Sequence, residues 1–266
     1  MMNIADNPHL HKTDVSRSTL FCADCFDVFP FIADKSVDAI IADLPYGTTA
    51  CKWDSILPLD KLWSEYKRVL KDSGCVVLTA TNPFASALIM SEPKMFKYEW
   101  IWDKVSHTNP FVAKYRCLSV HEQVLVFAKG KTTYNPQKYY NGVFRNDKGK
   151  NGKRLGELFI NNDAGYTRDM NGYANPKSII TIQRESIQGN NENRTKNSLH
   201  PTQKPVELME YLIKTYTNEN EIVLDNTMGS GTTGLACLKT NRQFIGIEKE
   251  KQYYNVAVRR LSEYCG

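Results

Sequence analysis

The sequence predicts an α/β fold built as one sheet and interrupted by a long insertion. Strand-like and helix-like runs alternate up to about residue 130, and the alternation resumes from residue 199 to the end. Between them lies a stretch of different composition, basic, rich in Asn and dotted with tyrosines. This gives three segments: 1–130 as the first half of the α/β domain, 131–198 as the insertion, and 199–266 as the second half.

Taken in order, Val37 to Asp43 is β-branched and apolar enough for a buried strand, and it delivers Asp43 to its carboxyl end. Ligands bind at that end of an open α/β sheet, so Asp43 with Pro45 and Tyr46 in "DLPY" forms a candidate site. A strand, a proline turn and a glycine would explain the same residues without a function. Leu59 to Leu70 has helical spacing, "GCVVLTAT" from Gly74 returns to a strand, and "NPFASALIMS" starts a helix after Pro83. "YEWIWDK" and "EQVLVFAKG" are further strands. After the insertion, "KPVELMEYLIKTYT" is a helix, "EIVLD" a strand, "GTTGLACLKT" a helix, "QFIGIE" a strand, and Lys249 to Leu261 a closing helix.

A chain of 266 residues can bury a full core without disulfides. Its seven cysteines, an odd number, point to reduced thiols. Cys22 and Cys25 make one C-x-x-C with no second pair at zinc spacing, so they are expected to be ordinary thiols and no metal is expected. With no signal-like apolar run and no membrane-length apolar span, a soluble cytoplasmic protein is expected. The net charge is +5, and residues 131–198 hold twelve Lys or Arg against six Asp or Glu, so the insertion carries the whole positive excess. Cations interleaved with Tyr134, Tyr139, Tyr140, Phe144, Tyr166 and Tyr173 suit phosphates and bases, although a solvated loop would share this composition.

"VLDNTMGSGTTG", Val223 to Gly234, puts an acid at a strand end, then a glycine turn, then a helix. Gly229 and Gly231 let backbone approach a ligand, and the helix start offers unpaired N–H groups. Glu248 ends the next strand, where a carboxylate can accept both hydroxyls of a ribose. A nucleoside-bearing cofactor follows, without the full spacing of a dinucleotide loop.

Together "DLPY" at Asp43 to Tyr46, "HPTQKP" at His200 to Pro205, "DNTMGSGTT" at Asp225 to Thr233 and "GIE" at Gly246 to Glu248 resemble the amino-group DNA methyltransferases. The order, catalytic tetrapeptide first and cofactor loop last, resembles their β class and covers about Ser18 to Leu261. The resemblance implies a Rossmann-like S-adenosylmethionine-dependent methyltransferase fold: a mostly parallel seven-stranded sheet with helices on both faces, plus a target-recognition insertion. It implies that Asp43 and the Leu44 and Pro45 carbonyls accept the hydrogens of an exocyclic amine while Tyr46 stacks on the flipped base. Leu44 stands where D-P-P-Y has its first proline. For S-adenosylmethionine it implies Asp24 at the adenine amino group and Glu248 at the ribose. Asp225, Gly229, Gly231 and Thr232 would lie around the methionine portion, with Thr202 or Lys204 near its carboxylate and Asp43 beside the methyl group.

"DLPY" is more like the adenine enzymes than "S-P-P-Y", which favours adenine over the cytosine amino group. Methylation of RNA or of protein glutamine, and a DNA-binding module with a decayed site, are the rival readings; the insertion and the retained motifs argue against them. The expected partner is double-stranded DNA, with Lys148, Lys150, Lys153 and Arg154 as phosphate contacts and no membrane. A homodimer and a cognate restriction enzyme are left open.

Overall fold

A computed structural model describes residues 10–47, 55–107, 110–141, 172–183 and 203–266. The strands are β1 (His11–Val15), β2 (Ser18–Cys22), β3 (Val37–Asp43), β4 (Leu70–Ala80), β5 (Phe96–Asp103), β6 (His121–Phe127), β7 (Tyr139–Tyr140), β8 (Tyr173–Ala174), β9 (Ile179–Thr181), β10 (Ile222–Asp225) and β11 (Gln243–Glu248). The helices are α1 (Cys25–Val28), α2 (Leu59–Val69), α3 (Phe84–Ser91), α4 (Val206–Tyr216), α5 (Thr232–Lys239) and α6 (Lys251–Cys265). None of these helices is long and apolar enough to cross a membrane.

Two compact units are present, residues 1–135 with 178–266, and residues 136–177. In the larger, nine strands form one sheet in the order β1-β2-β11-β10-β3-β4-β6-β5-β9. Strands β2, β11, β10, β3 and β4 are parallel neighbours, and β6 runs antiparallel between β4 and β5. The sheet has two more strands than the seven expected, and the additional pair are the short edges β1 and β9. Strand β9 lies within the segment read as insertion yet pairs with β5. In the smaller unit, β7 and β8 form an antiparallel ribbon on which Tyr140 and Tyr173 meet edge to face, 5.5 Å between ring centroids.

The alternation of a strand decides which helices cover which face. Ala39 and Ile41 of β3, Cys75 and Val77 of β4, and Val124 and Val126 of β6 pack with Leu212, Ala236 and Leu261 of α4, α5 and α6. Ile40 and Ala42, Val76 and Leu78, and Leu125 and Phe127 point the other way, into Val28, Leu62, Trp63, Tyr66 and Leu88 of α1, α2 and α3. Both faces are dry, which is why the central strands are continuous apolar runs.

The strand order fixes the ligand site. From β3 the chain passes outward to β4, whereas from β10 it passes to β11 on the other side. The direction reverses between β3 and β10, and the crevice at their carboxyl ends is where an open α/β sheet receives its ligand.

Candidate active site at the carboxyl edge of the sheet

Asp43 closes β3 opposite Thr79 of β4. Its Oδ1 accepts the Tyr46 hydroxyl at 2.7 Å and the Thr79 hydroxyl at 2.5 Å, and its Oδ2 accepts the Lys204 ammonium at 2.7 Å. Leu44 is buried among the apolar side chains under the sheet, so the loop is anchored there by a packed side chain. Pro45 follows half-buried, and Gly47 at φ +68° ends the turn in a conformation suited to glycine. The Tyr46 ring is backed by Phe84 at the start of α3, 5.3 Å between centroids and tilted by 30°. Burial, with Asp43 beside it, pushes the Tyr46 phenol well up, so it donates to the carboxylate as a neutral hydroxyl.

Lys204 lies just before α4 and is buried. Its ammonium also faces Glu122 Oε2 at 3.3 Å, and Glu122 Oε1 takes the buried Lys104 ammonium at 3.1 Å. Charges alternate along Lys104, Glu122, Lys204 and Asp43, each neutralising its neighbour where water is scarce. Burial alone would push the Lys204 ammonium down, but Asp43, Tyr46 and Glu122 push it well up. Burial would raise the Glu122 carboxyl, yet Lys204 and Lys104 hold it below its usual range. Lys204 therefore stays a cation, held between Asp43 and Glu122.

Across the crevice, the β10 loop is built around Asp225. Its Oδ1 accepts the Thr227 N–H at 3.0 Å and its Oδ2 the Thr233 hydroxyl at 2.7 Å. Burial pushes its carboxyl up to about 7 against those two hydrogen bonds. Asp225 thus shapes the loop from beneath, while the Thr227 hydroxyl donates to the Asp43 carbonyl at 3.1 Å and ties the two loops together.

The two loop glycines have different reasons to be glycine. A Cβ on Gly231, at φ +77°, would lie 2.9 Å from the Ala257 Cβ of α6, so Gly231 permits close packing. A Cβ on Gly229, at φ +51°, would meet nothing within 4 Å, so open space lies over that residue. Gly231 caps α5 without a side-chain hydrogen bond, which leaves first-turn N–H groups on offer. Thr232 is buried, and its hydroxyl accepts from Arg260 at 2.9 Å.

Glu248 ends β11 next to this loop. Its Oε2 accepts the Gly229 N–H at 2.9 Å and its Oε1 the Glu250 N–H at 2.8 Å, while burial pushes its carboxyl up. Each oxygen keeps a further lone pair for a hydroxyl. Asp24 sits one strand over, exposed, capping α1 through the Phe26 N–H at 2.9 Å. The Ala23 N–H bonds to the Glu248 carbonyl at 3.1 Å, so the two carboxylates mark adjoining strand ends. Acceptors at two neighbouring strand ends, open space over a left-handed glycine and free helix N–H groups fit a ligand with a polar base, a ribose and a carboxylate.

Asp43, Tyr46 and Lys204 are thus brought into one hydrogen-bonded cluster, and Gly229 and Glu248 into a second. Thr202, Lys148, Lys150, Lys153 and Arg154 lie outside the described residues. Sequence reasoning missed Thr79, Phe84, Lys104 and Glu122. A signal for Thr79 existed in principle, because pairing β3 with β4 in parallel puts it level with Asp43. Cys25 is a buried core thiol, pushed up to about 12 by burial.

Comparison with known proteins identifies the family. A family model described as DNA methylase, covering N6 and N4 amino methyltransferases, matches residues 37–259. The type II methyltransferase M.HpaI of Haemophilus parainfluenzae is 31% identical over 93% of this chain and 75% of its own length. M1.MboII of Moraxella bovis is 30% identical over 88% of this chain and 92% of its own. Among solved structures, the M1.HpyAVI–SAM complex superposes with a TM-score of 0.61 at 29% identity, covering 92% of this chain and 98% of that one. The cytosine-N4-specific PvuII methyltransferase, at 16% identity and a TM-score of 0.64, shares the fold. S-adenosylmethionine is the cofactor, and the chain belongs to the N6/N4 DNA methylase family as an S-adenosylmethionine-dependent DNA amino-methyltransferase.

Proposed function

We propose that the protein methylates the exocyclic amino group of adenine at specific sites in double-stranded DNA. The observation that carries this reading is Asp43 in "DLPY", a carboxylate at the end of β3 beside the cofactor loop. Two relatives bear on the base and the setting: YhdJ of Escherichia coli, named a DNA adenine methyltransferase, is 28% identical over 91% of this chain, and M.HpaI is named type II. On this reading the enzyme works in the cytoplasm on double-stranded DNA.

The amine of a base is a poor nucleophile because its lone pair is delocalised into the ring. S-adenosylmethionine supplies a methyl group on a cationic sulfonium. Asp43 accepts one amino hydrogen and, with the Leu44 and Pro45 carbonyls, draws the amine toward a pyramidal geometry, so that its lone pair is localised on nitrogen instead of shared with the ring's π system. No strong base is needed, because the nitrogen is cationic and strongly acidic once the methyl group has been added. Alignment is therefore the larger part of the catalysis. Tyr46 leaves Asp43 to stack on the flipped base, while Thr79 and Lys204 keep the carboxylate in place. Asp24 takes the cofactor's adenine amine and Glu248 its ribose. Gly229, Gly231 and Thr232 surround the methionine portion, with Asp225 shaping the loop and Thr202 near the carboxylate. Residues 131–198 choose the sequence, with Lys148, Lys150, Lys153 and Arg154 on phosphates.

Transfer of labelled methyl groups to DNA, RNA and protein tests the substrate class, and separation of the nucleosides from the DNA tests the base. N6-methyladenine is expected; methylated cytosine alone would move the assignment to the N4 amine and leave the fold and chemistry standing.

A further inference from the structure

The connection from β5 to β6 leaves the sheet at the carboxyl edge that holds Asp43. Its two stems are joined by the Lys104–Glu122 ion pair, and Glu122 reaches Asp43 through Lys204. Residues 105–120 contain Lys114 and Arg116 and no acid. Pro110 to Lys114 form a helical turn, extended by Tyr115 and Arg116 N–H groups bonding to the Val112 carbonyl at 2.9 and 3.0 Å. Phe111 and Tyr115 are each 87% exposed, and no large apolar side chain among the described residues is more so. Lys114 and Arg116 are exposed as well. The turn is of the 3-10 kind, with three residues per turn, so Phe111 and Lys114 align and Tyr115 follows directly, which exposes two aromatic rings and a cation within five residues.

Such rings cost free energy in water, and the turn that carries them is ordered by backbone hydrogen bonds. Cations supply affinity for phosphates, and rings stack on any base whose face is exposed, as when a target nucleotide turns out of the helix. We propose that the turn 110–116 is a DNA-contacting element separate from the 131–198 insertion, with Lys114 and Arg116 on phosphates and the exposed Phe111 and Tyr115 rings against bases near the flipped target. The proposal rests on DNA being the substrate and adds the surface that meets it beside Asp43.

Binding of the full chain to a mixed-sequence duplex, followed by fluorescence anisotropy across a salt series, tests this. The Lys114→Gln/Arg116→Gln variant should flatten the logarithmic salt slope by about 1.8, the value for two phosphate contacts. The Phe111→Ala/Tyr115→Ala variant should weaken DNA binding roughly tenfold at fixed salt and leave the slope unchanged. Both should bind S-adenosylmethionine like the parent, because neither pair lies in the cofactor loop. Parental DNA affinity and slope in both variants would overturn the proposal. So would an aromatic variant that alters only sedimentation, which would assign the rings to contact between copies of the chain. Absence of DNA binding by the parent at low salt would overturn the proposed function as well, which separates the two failures.

Discussion

At the scale of single residues, Asp43 is defined by the groups that hold it: two hydroxyls on one oxygen and an ammonium on the other. Replacing Lys204 with Met removes the ammonium between two carboxylates. A fully buried pair broken in this way costs roughly 3–5 kcal/mol, and the partial exposure of Asp43 reduces the expected loss to about 2 kcal/mol. Thermal unfolding should show that loss, and turnover should fall at least about tenfold while cofactor affinity stays near parental. Lys204→Arg, which keeps the charge, should recover part of the turnover. A selective loss of cofactor affinity in Lys204→Met would instead return Lys204 to the cofactor's carboxylate. Glu248→Ala should act on the cofactor first. It removes the ribose acceptor and the anchor of the Gly229 N–H, so calorimetry should find binding weaker by roughly 1.5–3 kcal/mol. Unchanged affinity would contradict the ribose assignment. Asp43, Tyr46 and Glu248 were legible in the sequence because each sits at or just past the end of a short apolar run. Glu122 and Lys104 were not, because they come from β6 and the end of β5 and reach Asp43 only through strand pairing and Lys204.

At the scale of elements, strands β3, β4, β10 and β11 were readable because both their faces are buried and their apolar runs are unbroken. Helices α2, α4 and α6 were readable from helical spacing. Strand β1 was not, since "HKTDV" buries only Val15, and β9 is three residues inside a segment marked by its charge. The β10 loop shows how a visible motif can hide its mechanics. Asp225 stood out as the acid before the glycines, yet its carboxylate points into the loop's own hydrogen bonds. That placement gives the element a pH dependence. The folded protein raises the Asp225 carboxyl from 3.8 to about 7. The folded state therefore holds this proton more tightly than the unfolded chain, and the stability Asp225 contributes falls as pH rises between those values. Asp225→Asn cannot ionise and should lack this slope. Melting temperatures without cofactor should then shift in the variant's favour, relative to the parent, between about pH 4 and pH 7. Parallel curves would contradict the assignment.

At the scale of the whole molecule, the charge is divided: a basic, aromatic insertion is set into an α/β domain whose own net charge is close to neutral. The division suits an enzyme that grips a polyanion with one part and does chemistry with another. If Lys148, Lys150, Lys153 and Arg154 each neutralise a phosphate, changing all four to Gln should flatten the logarithmic salt slope of DNA binding by about 3.6 and leave cofactor binding intact. An unchanged slope would remove these four from the interface. Neither the recognition sequence nor the identity of the base contacts was legible, because both depend on how the insertion folds against DNA.

In the proposed mechanism the Asp43 carboxylate prepares an adenine amine for transfer without being needed to hold the cofactor. This role is tested most directly by comparing the parent with Asp43→Asn, which keeps an acceptor for Thr79 and Tyr46 but loses the charge. Cofactor affinity is measured by calorimetry, and the nucleosides of the treated DNA by mass spectrometry. N6-methyladenine is expected from the parent and none above background from the variant, with cofactor affinities within about twofold of each other. Near-parental methylation by the variant would contradict that role.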